Sequence, residues 1–82
     1  MKQIIVAQRG WVFVGDVEVV GDELVISNAK NIRRWGTKKG LGELAINGPT
    51  KITVLDDYGI VRMHTLAVIA KIDCDAGKWN AH

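Results

Sequence analysis

The chain holds one cysteine (Cys74), one proline (Pro49) and one serine (Ser27). A single thiol excludes an internal disulfide, and no Cys/His cluster has the spacing of a zinc site. Ser27 has no nucleophile-elbow context, and the histidines are few: His64 in a strand-like run, and His82. A base for Cys74 would have to be His64, whose plain reading is a half-exposed strand residue, while Cys74 reads as a small apolar group. The acid pairs Asp56-Asp57 and Asp73/Asp75 suit turns better than metal ligation. No apolar run approaches the roughly 18–20 residues of a membrane helix. Ile4-Ile5-Val6 behind Lys2 is too short for the core of a signal peptide. These absences set the expectation of a cytoplasmic, non-catalytic protein without metal, cofactor or membrane partner.

Acid is also missing locally. No Asp or Glu lies between Glu23 and Glu43, whereas five of the eleven Lys and Arg residues fall between Lys30 and Lys39. The net charge of +2 is too small for a strongly basic nucleic-acid binder, so any electrostatic function belongs to that stretch. Its centre, Arg33-Arg34-Trp35-Gly36-Thr37-Lys38-Lys39-Gly40, combines guanidinium forks, an indole face, a hydroxyl and two glycines. Those groups suit an anionic ligand carrying a flat ring, and equally a solvated basic loop with Trp35 as an anchor. The glycine spacing fails the Walker phosphate-loop pattern. Arg33, Arg34, Trp35, Thr37, Lys38 and Lys39 are the expected ligand-binding residues. Consecutive residues of an extended chain point to opposite faces, so Arg34 and Lys38 are assigned to the ligand and Arg33 to packing.

What is present is the pattern of a mainly β domain. Eighty-two residues form one domain that buries only roughly 60–65% of its unfolded surface. With no disulfide or metal, oligomerisation is the remaining support, and a homo-oligomer is expected. Gln3–Ala7 is rich in β-branched residues and reads as a first strand. Trp11–Val20 alternates, with Trp11, Phe13, Gly15, Val17 and Val19 on one face and Val12, Val14, Asp16, Glu18 and Val20 on a wetter one. Gly15 marks a bulge or bend. Gly21-Asp22 predicts a two-residue hairpin loop, and Glu23–Ser27 the returning strand. Asn31–Trp35 either continues as a strand, the favoured reading, or makes one helical turn.

The spacing of Leu41, Leu44 and Ala45 predicts one short helix near 38–47, ended by Gly48-Pro49 with the glycine as a left-handed cap. Strands follow at Lys51–Leu55 and Ile60–Thr65, with a turn at Asp56-Asp57-Tyr58-Gly59. The run Leu66–Asp73 predicts a central strand buried on both faces. Residues 76–82 show no periodicity and read as a flexible tail, or as one carrying Trp79 into a neighbour. The sum is about six short strands and one helix, as a bent barrel or two small packed sheets.

Two resemblances add to this. The stretch VFVGDVEVVGDELVISNAKNI is similar to the bent hairpin of Sm-like small β-barrels, which implies nucleic-acid binding and ring assembly. The chain departs from that group in lacking a preceding helix and in carrying a basic insertion followed by a helix. Asn28, Ala29, Ile32, Trp35, Gly40, Leu41, Leu44, Ala45, Asn47 and Gly48, with the closing strand LAVIAKID, resemble a family of small phage and prophage proteins. That family carries no established function. The resemblance implies a mobile-element origin and roles exerted by binding: sequestering a phosphorylated nucleotide signal, blocking a host protein, or serving as a minor structural part.

Overall fold

The computed structural model describes residues 1–80 and 82, so Ala81, inside the expected tail, lies outside the described residues. Alternating apolar residues build five antiparallel strands: β1 (Lys2–Ala7), β2 (Val12–Val20), β3 (Glu23–Arg34), β4 (Val54–His64) and β5 (Val68–Asp73). They form one sheet in the order β4-β3-β2-β1-β5. A helix, α1 (Leu41–Asn47), and a single helical turn, α2 (Ala76–Trp79), pack on it. The domain is mainly β, as expected from the sequence.

The β2–β3 hairpin forms as its residues predict. Val20 opposes Glu23 across Gly21-Asp22, and Gly21 takes the positive φ (60°) that a two-residue turn requires there. Gly15 lies where the β2–β3 register shifts. A Cβ on it would sit 2.6 Å from Ile26 Cγ2 and 2.8 Å from the Ser27 carbonyl oxygen. The irregularity passes through Asn28, whose φ of 52° an asparagine tolerates better than most residues. It reverses the inside–outside order along β3, so that Leu24, Ile26 and Ala29 share one face although their spacing is not uniformly two.

Both faces of the sheet are therefore covered. On one, Ile4, Val12, Val14 and Ile32 pack with Leu44 and Ala45 of α1 and with Trp79 of α2. On the other, Ile5, Phe13, Leu24, Ile26 and Ala29 form a second cluster. Val61 and Met63 of β4 and Val68 of β5 join that second cluster from opposite ends of the strand order. The sheet is thus curled, with its two edge strands bent toward each other. The face assigned as wetter in β2 is wet only from Asp16 onward, because α1 covers Val12 and Val14.

Four expectations are corrected. There are five strands, not about six, because the predicted turn at Asp56–Gly59 lies inside the continuous strand β4. The run read as a doubly buried central strand is β5, an edge strand; Ile69 is 67% exposed, and Leu66, in the 3-10 turn before it, is 80% exposed. The helix spans Leu41–Asn47, and Gly48 closes it at positive φ, but with ψ far from the left-handed helical value (φ 79°, ψ 176°). Its N–H still donates to the Leu44 carbonyl (2.9 Å). Lastly, the expected tail docks within its own chain. The Asp75 carboxylate accepts from the N–H groups of Gly77 (2.9 Å) and Lys78 (3.3 Å), starting the turn that buries Trp79 to 1% exposure.

Candidate functional site

The basic stretch straddles the end of β3 and the loop into α1. Ile32 opposes Leu55 and Arg34 opposes Val54, so Arg33 and Arg34 together face one residue of β4 and the strand bulges. Arg33 donates from Nε to Asp56 Oδ2 (2.8 Å) and from Nη2 to Asp56 Oδ1 (3.4 Å). That hydrogen bond, with the carboxylate's charge, holds the guanidinium's pKa above its ordinary value. Lys30 is paired in the same way with Asp57. The segment that contains no acid in sequence therefore receives two from the neighbouring strand, a cross-strand pairing that linear charge patterning does not show. Among the described residues Arg34, Lys38 and Lys39 remain without an acidic partner, and all three are exposed.

The loop itself is held by hydrogen bonds. Thr37 Oγ1 donates to the Gly40 carbonyl (2.6 Å), and the N–H of Lys39 donates to Glu43 Oε1 (3.3 Å). Thr53 and Thr50 donate from their hydroxyls to the carbonyls of Trp35 and Gly36, each at 2.8 Å. Gly36 turns at φ 72°, and a Cβ there would lie 2.6 Å from the Thr53 nitrogen. The Trp35 indole is 44% exposed and passes over Gly40, where a Cβ would stand 3.6 Å from the ring. Thr37, read as a ligand hydroxyl, spends its donor on closing the loop. The six expected residues are thus contiguous on the surface but differ in role: Arg33 is ion-paired, Thr37 is structural, and Arg34, Trp35, Lys38 and Lys39 are open to solvent.

Three concavities lie elsewhere, and none takes a lining residue from Arg33–Lys39. The first, of about 310 Å³, is walled by Trp11, Phe13, Tyr58, Val61 and Met63, with Gln8 at its rim. Trp11 and Phe13 lie parallel, 3° apart with centroids 5.8 Å from each other. Tyr58 meets both edge-on, at 6.4 Å from Trp11 and 5.6 Å from Phe13. Two backbone irregularities produce the arrangement. Arg9 (φ 66°) and Gly10 (φ 80°) form the tight turn that delivers Trp11, closed by the Ala7 N–H to the Trp11 carbonyl (2.8 Å). Ala29 opposes Gly59 while Lys30 opposes Asp57, so Tyr58 is the extra residue of a bulge, and Gly59 beside it takes φ 77°.

Directly opposed residues of antiparallel strands share a face. Phe13 opposes Asn31 and Asn31 opposes Asp56, so the carboxylate that grips Arg33 stands on the same sheet face as the aromatic groove. Sequence reasoning had noticed Trp11 and Phe13 at strand spacing but not their union with Tyr58, which depends on the bulge.

The second concavity joins Lys2, Asp16, Asn28, Lys30 and Asp57, whose charges are largely satisfied by Lys30–Asp57 and by Asn28 donating to Asp16 (3.3 Å). The third lies beside β5, between Leu24 and Val68–Lys71. His64 is exposed, and its Nδ1 accepts from the Leu66 N–H (3.0 Å) as a turn cap. Cys74 packs beneath Trp79's cluster, and burial pushes its thiol up to about 11, with Lys2 opposing the shift. Between the ordinary 9.0 and 11, the unfolded chain gives up the thiol proton first, so stability falls as pH rises across that window. At neutral pH the folded chain holds less thiolate, and iodoacetamide is expected to label Cys74 about a hundredfold more slowly in buffer than in urea. Equal rates in the two solvents would contradict the packing. No protein-family model matches the chain, and no curated protein matches it.

Proposed function

We propose that this chain is a non-catalytic, phage-type binding protein that sequesters a small phosphorylated nucleotide-like signal, of the cyclic dinucleotide or ADP-ribose kind, in the cytoplasm of a bacterial host. The observation that carries this reading is the set of Arg34, Lys38 and Lys39, cations with no acidic partner among the described residues, at the end of the strand whose Arg33–Asp56 pair shares a face with the aromatic groove. Phosphate would be met by those three side chains, Arg34 offering a planar fork and the lysines point charges.

Among the described residues the outer edges of β4 and β5 have no strand partner, and Leu66 and Ile69 project from the region of β5. These features support a homo-oligomer, expected as a solution mass of at least twice the 9.0 kDa of one chain.

Calorimetry of the purified protein against cyclic dinucleotides and ADP-ribose-type molecules tests the reading. Binding is expected in that panel, weakened about tenfold or more in an Arg34→Gln/Lys38→Gln double variant, the scale of one or two charge-assisted hydrogen bonds. No heat with any member overturns it. Exposed aromatics beside basic residues also suit single-stranded nucleic acid, the second reading. That reading requires oligonucleotide retardation that falls steeply with salt. If neither class binds, a structural or host-protein-binding module is left.

A further inference from the structure

The basic loop offers anions a surface and lines none of the three concavities described, whereas the one of them walled by aromatic side chains stands on the neighbouring part of the sheet. We infer that this groove, and not Trp35, receives the planar, uncharged base of the ligand, stacked against the open faces of Trp11 and Tyr58. The inference rests on the nucleotide reading above and assigns it a second subsite.

Four observations converge on that occupant. Trp11 and Tyr58 are each about half exposed (48% and 47%), while Phe13 behind them is buried, so two ring surfaces are presented and the third braces them. No charged side chain lines the groove; its polar groups are the Trp11 indole N–H, the Tyr58 hydroxyl and the Gln8 carboxamide, whose Nε2 donates to the Leu66 carbonyl (3.5 Å) and leaves its oxygen as an acceptor, a set that suits the hydrogen-bonding edge of a neutral heterocycle. The volume of about 310 Å³ stands at the lower limit of the roughly 300–1,000 Å³ typical of small-molecule sites and has room for a ring system. Charge appears only beyond the groove, where Asp56 fixes the Arg33 guanidinium on the same face, next in sequence to Arg34. An apolar shelf built by β2 and β4, with cations at the end of β3 on the same sheet face, complements a molecule with a neutral ring at one end and phosphate at the other.

The backbone supports the assignment. Trp11 is delivered by a turn with a non-glycine residue, Arg9, in the left-handed region, and Tyr58 by a bulge in a strand that could otherwise run straight. One sets a side chain in a sparsely populated region and the other gives up a ladder pair, and both converge on one cluster.

The test titrates wild-type protein, Trp11→Ala, Tyr58→Ala and Tyr58→Leu with adenosine, guanosine, their monophosphates and inorganic phosphate, by calorimetry and tryptophan fluorescence. Thermal melts identify any variant that no longer folds, and Tyr58→Leu keeps apolar bulk at the site while removing the ring face. The expected result is nucleoside binding with quenched fluorescence, tighter for the monophosphates, and weakened between about 5-fold and about 150-fold in the folded groove variants, the range of one base–aromatic stack. Nucleotide binding that persists unchanged in all three variants, or that is lost in Trp35→Leu instead, overturns the groove assignment and leaves the proposed function standing. Nucleosides bound through the groove with no gain from phosphate would uphold the groove and overturn the phosphate reading. Silence toward every probe overturns both.

Discussion

Replacing Trp79 with alanine is expected to destabilise the domain by about 3–5 kcal/mol, the cost of emptying a large aromatic site in a core. Trp79 is 1% exposed and lies against Ile4, Val14, Leu44 and Ala45. Its Nε1–H donates to the Ala45 carbonyl (3.1 Å), which also accepts from the Asp75 N–H (3.0 Å), so the ring and the start of α2 are fastened to the same residue of α1. Small domains hold about 5–15 kcal/mol in total, and with a single cysteine this one has no internal disulfide to add to that. Each kcal/mol corresponds to about 4–8 °C in Tm at this size, so thermal unfolding should shift downward by tens of degrees. Trp79→Phe, which keeps most of the volume but not the N–H, separates packing from the hydrogen bond and should lose less. An unchanged melting temperature in Trp79→Ala would mean that residues 76–79 are not docked.

The second large effect is expected at Gly48. With φ 79° and ψ 176° it occupies a region that side-chain-bearing residues almost never enter. A Cβ built there would stand 2.6 Å from the Lys78 carbonyl oxygen and 3.2 Å from the Lys78 Cβ. Gly48→Ala therefore combines backbone strain of about 1–3 kcal/mol with overpacking of similar size, about 2–6 kcal/mol together. It also pushes α2 off α1, so it should expose Trp79 and shift its fluorescence to the red. Gly42 is the internal comparison: nothing lies within 4 Å of a Cβ there, and Gly42→Ala should stabilise by up to about 1 kcal/mol. Urea midpoints of the two variants moving in the same direction would contradict this account.

These two sites show where a linear reading succeeds and where it stops. The β2–β3 hairpin was legible because strict alternation and a Gly-Asp turn agree with each other, and α1 because Leu41, Leu44 and Ala45 keep helical spacing. The continuity of β4 was not. Asp56-Asp57-Tyr58-Gly59 has the composition of a turn, but Arg33 and Lys30 across the ladder neutralise the two acids, and Gly59 takes up the bend as a bulge. β5 misled for the opposite reason: Leu66–Asp73 is so apolar that no alternation betrays its outward side. A four-residue helix such as α2 is too short to show a period at all. The basic run is legible as composition, but its ion pairs, and the Trp11–Phe13–Tyr58 groove, exist only once strands distant in sequence are aligned.

The position of β1 has a consequence for how the chain is made. It is the first of the five strands to be synthesised, yet one of its two neighbours in the sheet is β5, the last. At about 5–20 residues per second, a nascent chain spends several seconds with that flank bare and with Ile4, Val12 and Val14 still uncovered by Trp79. Closure of the sheet must then wait until β5 has emerged from the ribosome, and a polypeptide interrupted before Val68 should be an aggregation-prone fragment, not a smaller working domain.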